Sequence, residues 1–112
     1  MLAKKFRLHK KSDFDKLAKS PNKFYSNNLF LRFIENEEDF NSFAVVISKK
    51  ISSKAVIRNK IRRRIYEIIR LNMNFFKKSF KIVIFVKKGV LEMEYSDLEK
   101  EILYIFKKAR LY

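Results

Sequence analysis

Five isoleucines, Ile57, Ile61, Ile65, Ile68 and Ile69, recur at the i, i+4, i+8, i+11, i+12 spacing that keeps side chains on one face of a helix. No Gly or Pro interrupts them, so the pattern predicts a helix from about Lys54 to Met73, with Ser52 or Ser53 as its N-cap. A single apolar stripe of that length has to be buried, and the rest of the chain must supply the surface that buries it. The positions off the stripe are cationic. From Ser48 to Arg64 eight side chains are basic and none is acidic, and Glu67 is the first acid to follow.

The remaining segments read as covers for that stripe. Phe14, Leu17 and Ala18 share one face of a short helix after Ser12, which is placed to cap it, and Pro21 ends it. Residues 24–34 look extended, but Ser26, Asn27 and Asn28 make the first half polar. That half is either a separate short strand or a bulged entry to a longer one. An acidic turn holds Glu35, Glu37, Glu38 and Asp39, four of the twelve acids. Residues 43–48 form a second, apolar strand and residues 80–86 a third, with Phe80 and Phe85 assigned to the core. Ser96 and Glu99 match a capping box for a last helix, whose apolar face is Leu98, Ile102, Ile105, Phe106 and Ala109.

The order is α-β-β-α-β-α, or αβββαβα if the first strand is split. It predicts an α+β fold with helices packed on a small sheet, in a single domain spanning 1–112 whose residues 1–11 form a flexible basic arm.

Charge sets the partner. Twenty-seven basic against twelve acidic residues leave +15, a field that attracts polyanions and strains a free monomer by self-repulsion. Nucleic acid is the first expectation and an anionic membrane surface the second. No apolar run reaches the ~20 residues of a membrane helix, and none near the N-terminus suits a signal peptide. With no cysteine in the chain, a cytoplasmic protein without disulfides or thiolate metal sites is expected.

Protein-borne catalysis has little to stand on: one histidine, His9, and one glycine, too few for a phosphate-binding loop. Glu92, Glu94 and Asp97 are the compact acidic candidates for a protein-only nuclease besides the acidic turn. The basic run is the stronger signal. Lys49, Lys50, Lys54, Arg58, Lys60, Arg62 and Arg63 suit phosphates, and Asn59 adds a donor and acceptor that a plain electrostatic patch does not need. A solvated helix face is the bland alternative, but such faces usually interleave acids to form ion pairs. Phe14 and Tyr25, mixed with basic and polar neighbours, are candidates for stacking unpaired bases, against core packing as the alternative.

Ser48-Lys49-Lys50, Ala55-Val56, Arg58-Asn59 and Ile61-Arg62-Arg63, with Arg7-Leu8 and Asp13-Phe14 upstream, resemble the signature of the bacterial ribonuclease P protein component. The resemblance spans essentially the whole chain. It implies a left-handed crossover around the basic helix, against the general rule. It implies two RNA partners, a catalytic RNA and precursor tRNA, no membrane and no obligate protein partner. The RNA would hold the Mg²⁺ and perform the cleavage, so the protein would carry no catalytic residue, metal or cofactor. By position, Arg58, Asn59, Arg62 and Arg63 fall in the basic signature helix and Lys49 and Lys50 at the strand exit. Phe14, Tyr25 and Asn27 fall where the family lines a cleft for the 5′ leader. Lys60 and Tyr66 stand where arginines are common, Ala44 where glycine is usual, and Ala18 where many members carry a second cleft aromatic. A general RNA-binding protein of ribosomal or chaperone type is the competing expectation.

Overall fold

A computed structural model describes residues 2–112; Met1, the first residue of the expected arm, lies outside the described residues. The elements are α1 (Lys11–Ala18), β1 (Lys23–Tyr25), β2 (Leu29–Glu35), β3 (Ser42–Val46), α2 (Ala55–Asn72), β4 (Phe80–Val86) and α3 (Tyr95–Lys108), with short 3-10 turns at Lys4–Phe6, Met73–Phe75 and Lys88–Glu92. The first strand is split. Ser26, Asn27 and Asn28 form the turn of an antiparallel β1–β2 hairpin, where the Ser26 N–H donates to the Leu29 carbonyl at 2.9 Å.

Sheet order is β1-β2-β4-β3. β4 runs antiparallel to β2 and parallel to β3, and α2 makes the crossover between the parallel pair.

Alternation along the strands divides the apolar residues between two faces. Leu29, Leu31, Phe43, Val45, Ile82, Ile84 and Val86 form one core with Ile61, Ile65, Ile68 and Ile69 of α2 and with Leu98, Ile102, Ile105 and Phe106 of α3. The isoleucine stripe is buried as its spacing requires, with Ile57 half-buried at its exposed end. Ile65 is fully enclosed, so truncation to Ala costs about 2–5 kcal/mol. Phe80 packs against this core. Phe85 does not: it is half-buried on the opposite face, because one residue of strand register reverses the side a residue points to.

That opposite face is covered only in part. Leu17 of α1 closes over Ala44 and Val83, with Leu8, Phe14, Ile34, Val46 and Phe85 packed at the margin. Two polar contacts hold α1 there. Asp13 accepts from Lys81 Nζ at 2.7 Å, and the Arg32 guanidinium donates to the Ala18 carbonyl.

Residues 2–10, expected as an arm, make contacts of their own. Leu2 is buried in the main core, Arg7 forms a parallel bridge with Phe43, and the Leu8 N–H donates to the Phe43 carbonyl at 2.7 Å.

The expected caps differ. The N-cap positions of α1, α2 and α3 are Lys10, Lys54 and Glu94, none with a side-chain cap hydrogen bond. Ser52 lies two residues before the N-cap: its hydroxyl accepts the Lys54 N–H at 3.2 Å, shaping the turn before α2 rather than the helix itself.

Candidate nucleic-acid interface

Two surfaces emerge, one from the basic run and one from the half-covered sheet face. In the first, Lys49 and Lys50 occupy the middle of a turn closed by the Ile51 N–H donating to the Ser48 carbonyl at 3.0 Å. Ile51 packs against the core, so both lysines point to solvent. Arg58 reaches back to the same loop and donates to the Ser52 carbonyl at 2.8 Å. One turn on, Arg62 donates to Asn59 Oδ1 at 2.7 Å, which fixes the Asn59 side chain and orients the guanidinium. Asn59, Arg62 and Arg63 share a shallow recess with Val56, an apolar side chain left 77% exposed among cations. Lys54, at the N-cap of the same helix, and Lys60, on it, are exposed.

Arg62 also closes a second recess that the sequence reading missed. Lys4, Arg7, Leu8 and His9 of the N-terminal segment meet Arg62 and Tyr66 of α2 around about 300 Å³. The Arg7 Nε is buried without a hydrogen-bond partner. Burial pushes the Tyr66 hydroxyl pKa up, against the pull of a backbone hydrogen bond at Val45 and of the Arg62 and Arg7 charges. From sequence Arg7 is a basic residue of the arm and part of the upstream Arg7-Leu8 resemblance, with no sign of where it lies; the bridge to β3 carries it to α2.

The second surface is a row of side chains across all four strands. Tyr25 pairs with Phe30, Phe30 with Phe85, and Phe85 with Val46. The rings of Tyr25 and Phe30 stack with centroids 4.4 Å apart, and those of Phe30 and Phe85 at 5.3 Å. Arg32 lies over Phe30 at 5.2 Å and Lys87 over Tyr25 at 5.6 Å, so cations flank the rings.

α1 sits over the next rows, where Ala44, Val83 and Ile34 lie, and leaves this one as a half-open strip, with Phe30, Phe85 and Val46 half-buried and Tyr25 exposed. Phe14 projects from α1 into the cluster that holds Val46 and Phe85. Phe14 and Tyr25 therefore share a sheet face. Asn27 stands apart, exposed at the β1–β2 turn and turned toward α3. Phe30 and Phe85 complete the row and were not singled out for it from sequence, because both sit in strands apolar enough to read as core.

Residues 2–110 match the family model for ribonuclease P. The chain belongs to the ribonuclease P protein family. Ribonuclease P protein components of Fusobacterium nucleatum and Alkaliphilus oremlandii are 32% and 31% identical to it, over 93% and 94% of this chain and 96% and 91% of theirs. The fold is shared with the RNase P protein of Thermotoga maritima, at TM-score 0.84 and 25% identity over 91% of this chain and 96% of that one. The Staphylococcus aureus RNase P protein has the same fold at TM-score 0.87 and 22% identity, covering 96% and 97%. The resemblance carried by the basic signature thus extends to the family and to the fold.

Proposed function

We propose that this chain is the protein subunit of a ribonuclease P ribonucleoprotein and acts in tRNA 5′ maturation by gripping RNA at both surfaces. The basic face of α2, with Lys49, Lys50, Lys54, Arg58, Asn59, Lys60, Arg62 and Arg63, docks against the catalytic RNA. The half-open strip holds the single-stranded 5′ leader of precursor tRNA, with Phe14 and Tyr25 among its contacts and Asn27 at its rim. The RNA subunit holds the Mg²⁺ and cleaves the phosphodiester; the protein supplies affinity and charge.

One observation carries the leader assignment: the cross-strand row Tyr25–Phe30–Phe85, stacked, flanked by Arg32 and Lys87, and only partly covered by α1. Unpaired bases stack on such platforms regardless of sequence, which suits a substrate whose leaders vary. An ordinary double-stranded RNA reader needs no aromatic strip.

Reconstitution with the cognate RNA subunit at low Mg²⁺ tests the reading. Added protein should accelerate cleavage and raise affinity for precursor over mature tRNA, and Tyr25→Ala should reduce that preference. Cleavage and preference both unchanged by the protein would overturn it.

A further inference from the structure

The aromatic row does not stop at the sheet edge. Beyond Tyr25, on the α3 side of the β1–β2 turn, a recess of about 280 Å³ is lined by Tyr25, Ser26, Asn27, Glu101, Tyr104 and Lys108. Two of these are tyrosines with much of their surface open, Tyr25 at 47% and Tyr104 at 56%. The core explains neither exposure.

The recess is built rather than incidental. Glu101 accepts three hydrogen bonds from the turn: Ser26 Oγ at 2.5 Å, the Asn28 N–H at 2.8 Å and Asn28 Nδ2 at 2.9 Å. Lys108 Nζ donates to the Tyr25 carbonyl at 2.9 Å, and Lys87 Nζ to the Ser26 carbonyl at 3.1 Å. Gly89 closes against the other side, where a Cβ would fall 2.0 Å from Asn28 Oδ1. A turn of polar residues is thereby fixed from both sides, and with it the position of Tyr25.

The chemistry of the lining selects the occupant. A carboxylate at Glu101 disfavours a phosphate inside the recess. Two aromatic walls and the Asn27 amide suit the flat face and polar edge of a base, while Lys108 can meet the phosphate that follows it. The row leads from β3, which packs against α2, to β1, which packs against α3. A strand laid along it from the docked catalytic RNA arrives at this recess last.

We infer that the recess between the β1–β2 turn and α3 is a base-binding subsite for single-stranded RNA, taking a leader nucleotide upstream of those on the sheet. Glu101 is a positioning residue that holds the turn in place for it. The inference rests on the leader-binding reading above and extends it.

The test uses the holoenzyme assembled with its RNA subunit and precursors whose leaders grow one nucleotide at a time from none. Tyr104→Ala should match the unsubstituted protein on leaderless and short-leader tRNA, then lag by about fivefold or more once the leader passes the sheet edge. Tyr104→Phe should restore the lost affinity, since the ring does the stacking. Glu101→Gln, which turns one acceptor into a donor, should lose affinity with leader length in the same way. A turn disturbance that is merely structural would lower the melting temperature without that length dependence.

If Tyr104→Ala equals the unsubstituted protein at every length while Tyr25→Ala still weakens leader binding, the subsite is refuted and the strip stands. If neither substitution shows any leader dependence, the leader-binding reading itself fails. A loss that is equal with and without a leader also refutes the subsite. An unchanged Glu101→Gln removes the positioning role.

Discussion

Lys81 Nζ lies 2.7 Å from Asp13 Oδ1, joining the first turn of α1 to the central strand β4. The Asp13 side chain is 9% exposed and that of Lys81 23%, so the pair is largely screened from water. It sets where α1 sits on the sheet, and hence the border of the half-open strip. Asp13→Ala leaves the Lys81 ammonium half-buried without its partner. Urea unfolding should show a loss of about 2 kcal/mol, below the cost of a fully buried pair because Lys81 keeps some access to water. Leader affinity should fall as well, because α1 carries Phe14.

Arg63 is exposed and shares its recess with Asn59 and Arg62. It acts on stability through neither core nor cap. Arg63→Ala should leave the melting temperature within about 1 °C. The slope of log affinity for the RNA subunit against log salt should become shallower by about 0.7–0.9, the share of one phosphate contact. An unchanged slope would place Arg63 outside the interface.

Lys54 occupies the N-cap of α2, makes no side-chain cap, and is followed by a first turn without an acid. A cation at the positive end of a helix dipole costs stability, and a missing cap costs more. Lys54→Ser should therefore raise stability by about 1 kcal/mol in chemical denaturation. The same substitution should weaken binding to the RNA subunit. Opposite signs in the two assays would show that the position is kept for its charge.

Burial holds the Tyr66 pKa above its ordinary 10.0, so folding favours the neutral phenol. A raised folded pKa contributes stability that is complete below the unfolded value and is lost as pH rises through the folded one. Relative to Tyr66→Phe, the unsubstituted protein should hold a constant difference in melting temperature up to about pH 10 and then decline. A difference that is flat through the alkaline range would mean that the hydroxyl is not confined by its surroundings.

Periodicity made much of the fold legible. Ile61, Ile65, Ile68 and Ile69 are buried as their spacing demands, and the strand at 80–86 falls where the apolar run placed it. The polarity of Ser26, Asn27 and Asn28 signalled the break that became a hairpin turn. Helix starts were less legible, because a serine near a helix can serve the preceding turn, as Ser52 does.

The site divided along the same line. Cations on α2 are local and visible in one stretch. The strip depends on which strands are neighbours, and no local pattern shows that Phe85 would stand beside Phe30. Glu101 was unreadable for the same reason: its partners, Ser26 and Asn28, lie far away in sequence.

β4 lies between β2 and β3, which do not pair with each other, yet it is the last strand to be made. Chains leave the ribosome N-terminus first, so the β1–β2 hairpin, β3 and α2 all emerge before the strand that joins them. Ile82 and Ile84 enter the main core while Val83 and Phe85 enter the opposite face. The arrival of seven residues, Phe80–Val86, thus joins the sheet and assembles the aromatic strip, and α3, made after it, closes the main core. Until then the nascent chain carries an unburied isoleucine stripe and a dense positive charge. The slow, long-range closure of a parallel pair is the step that starts to bury the stripe, while the positive charge stays on the surface.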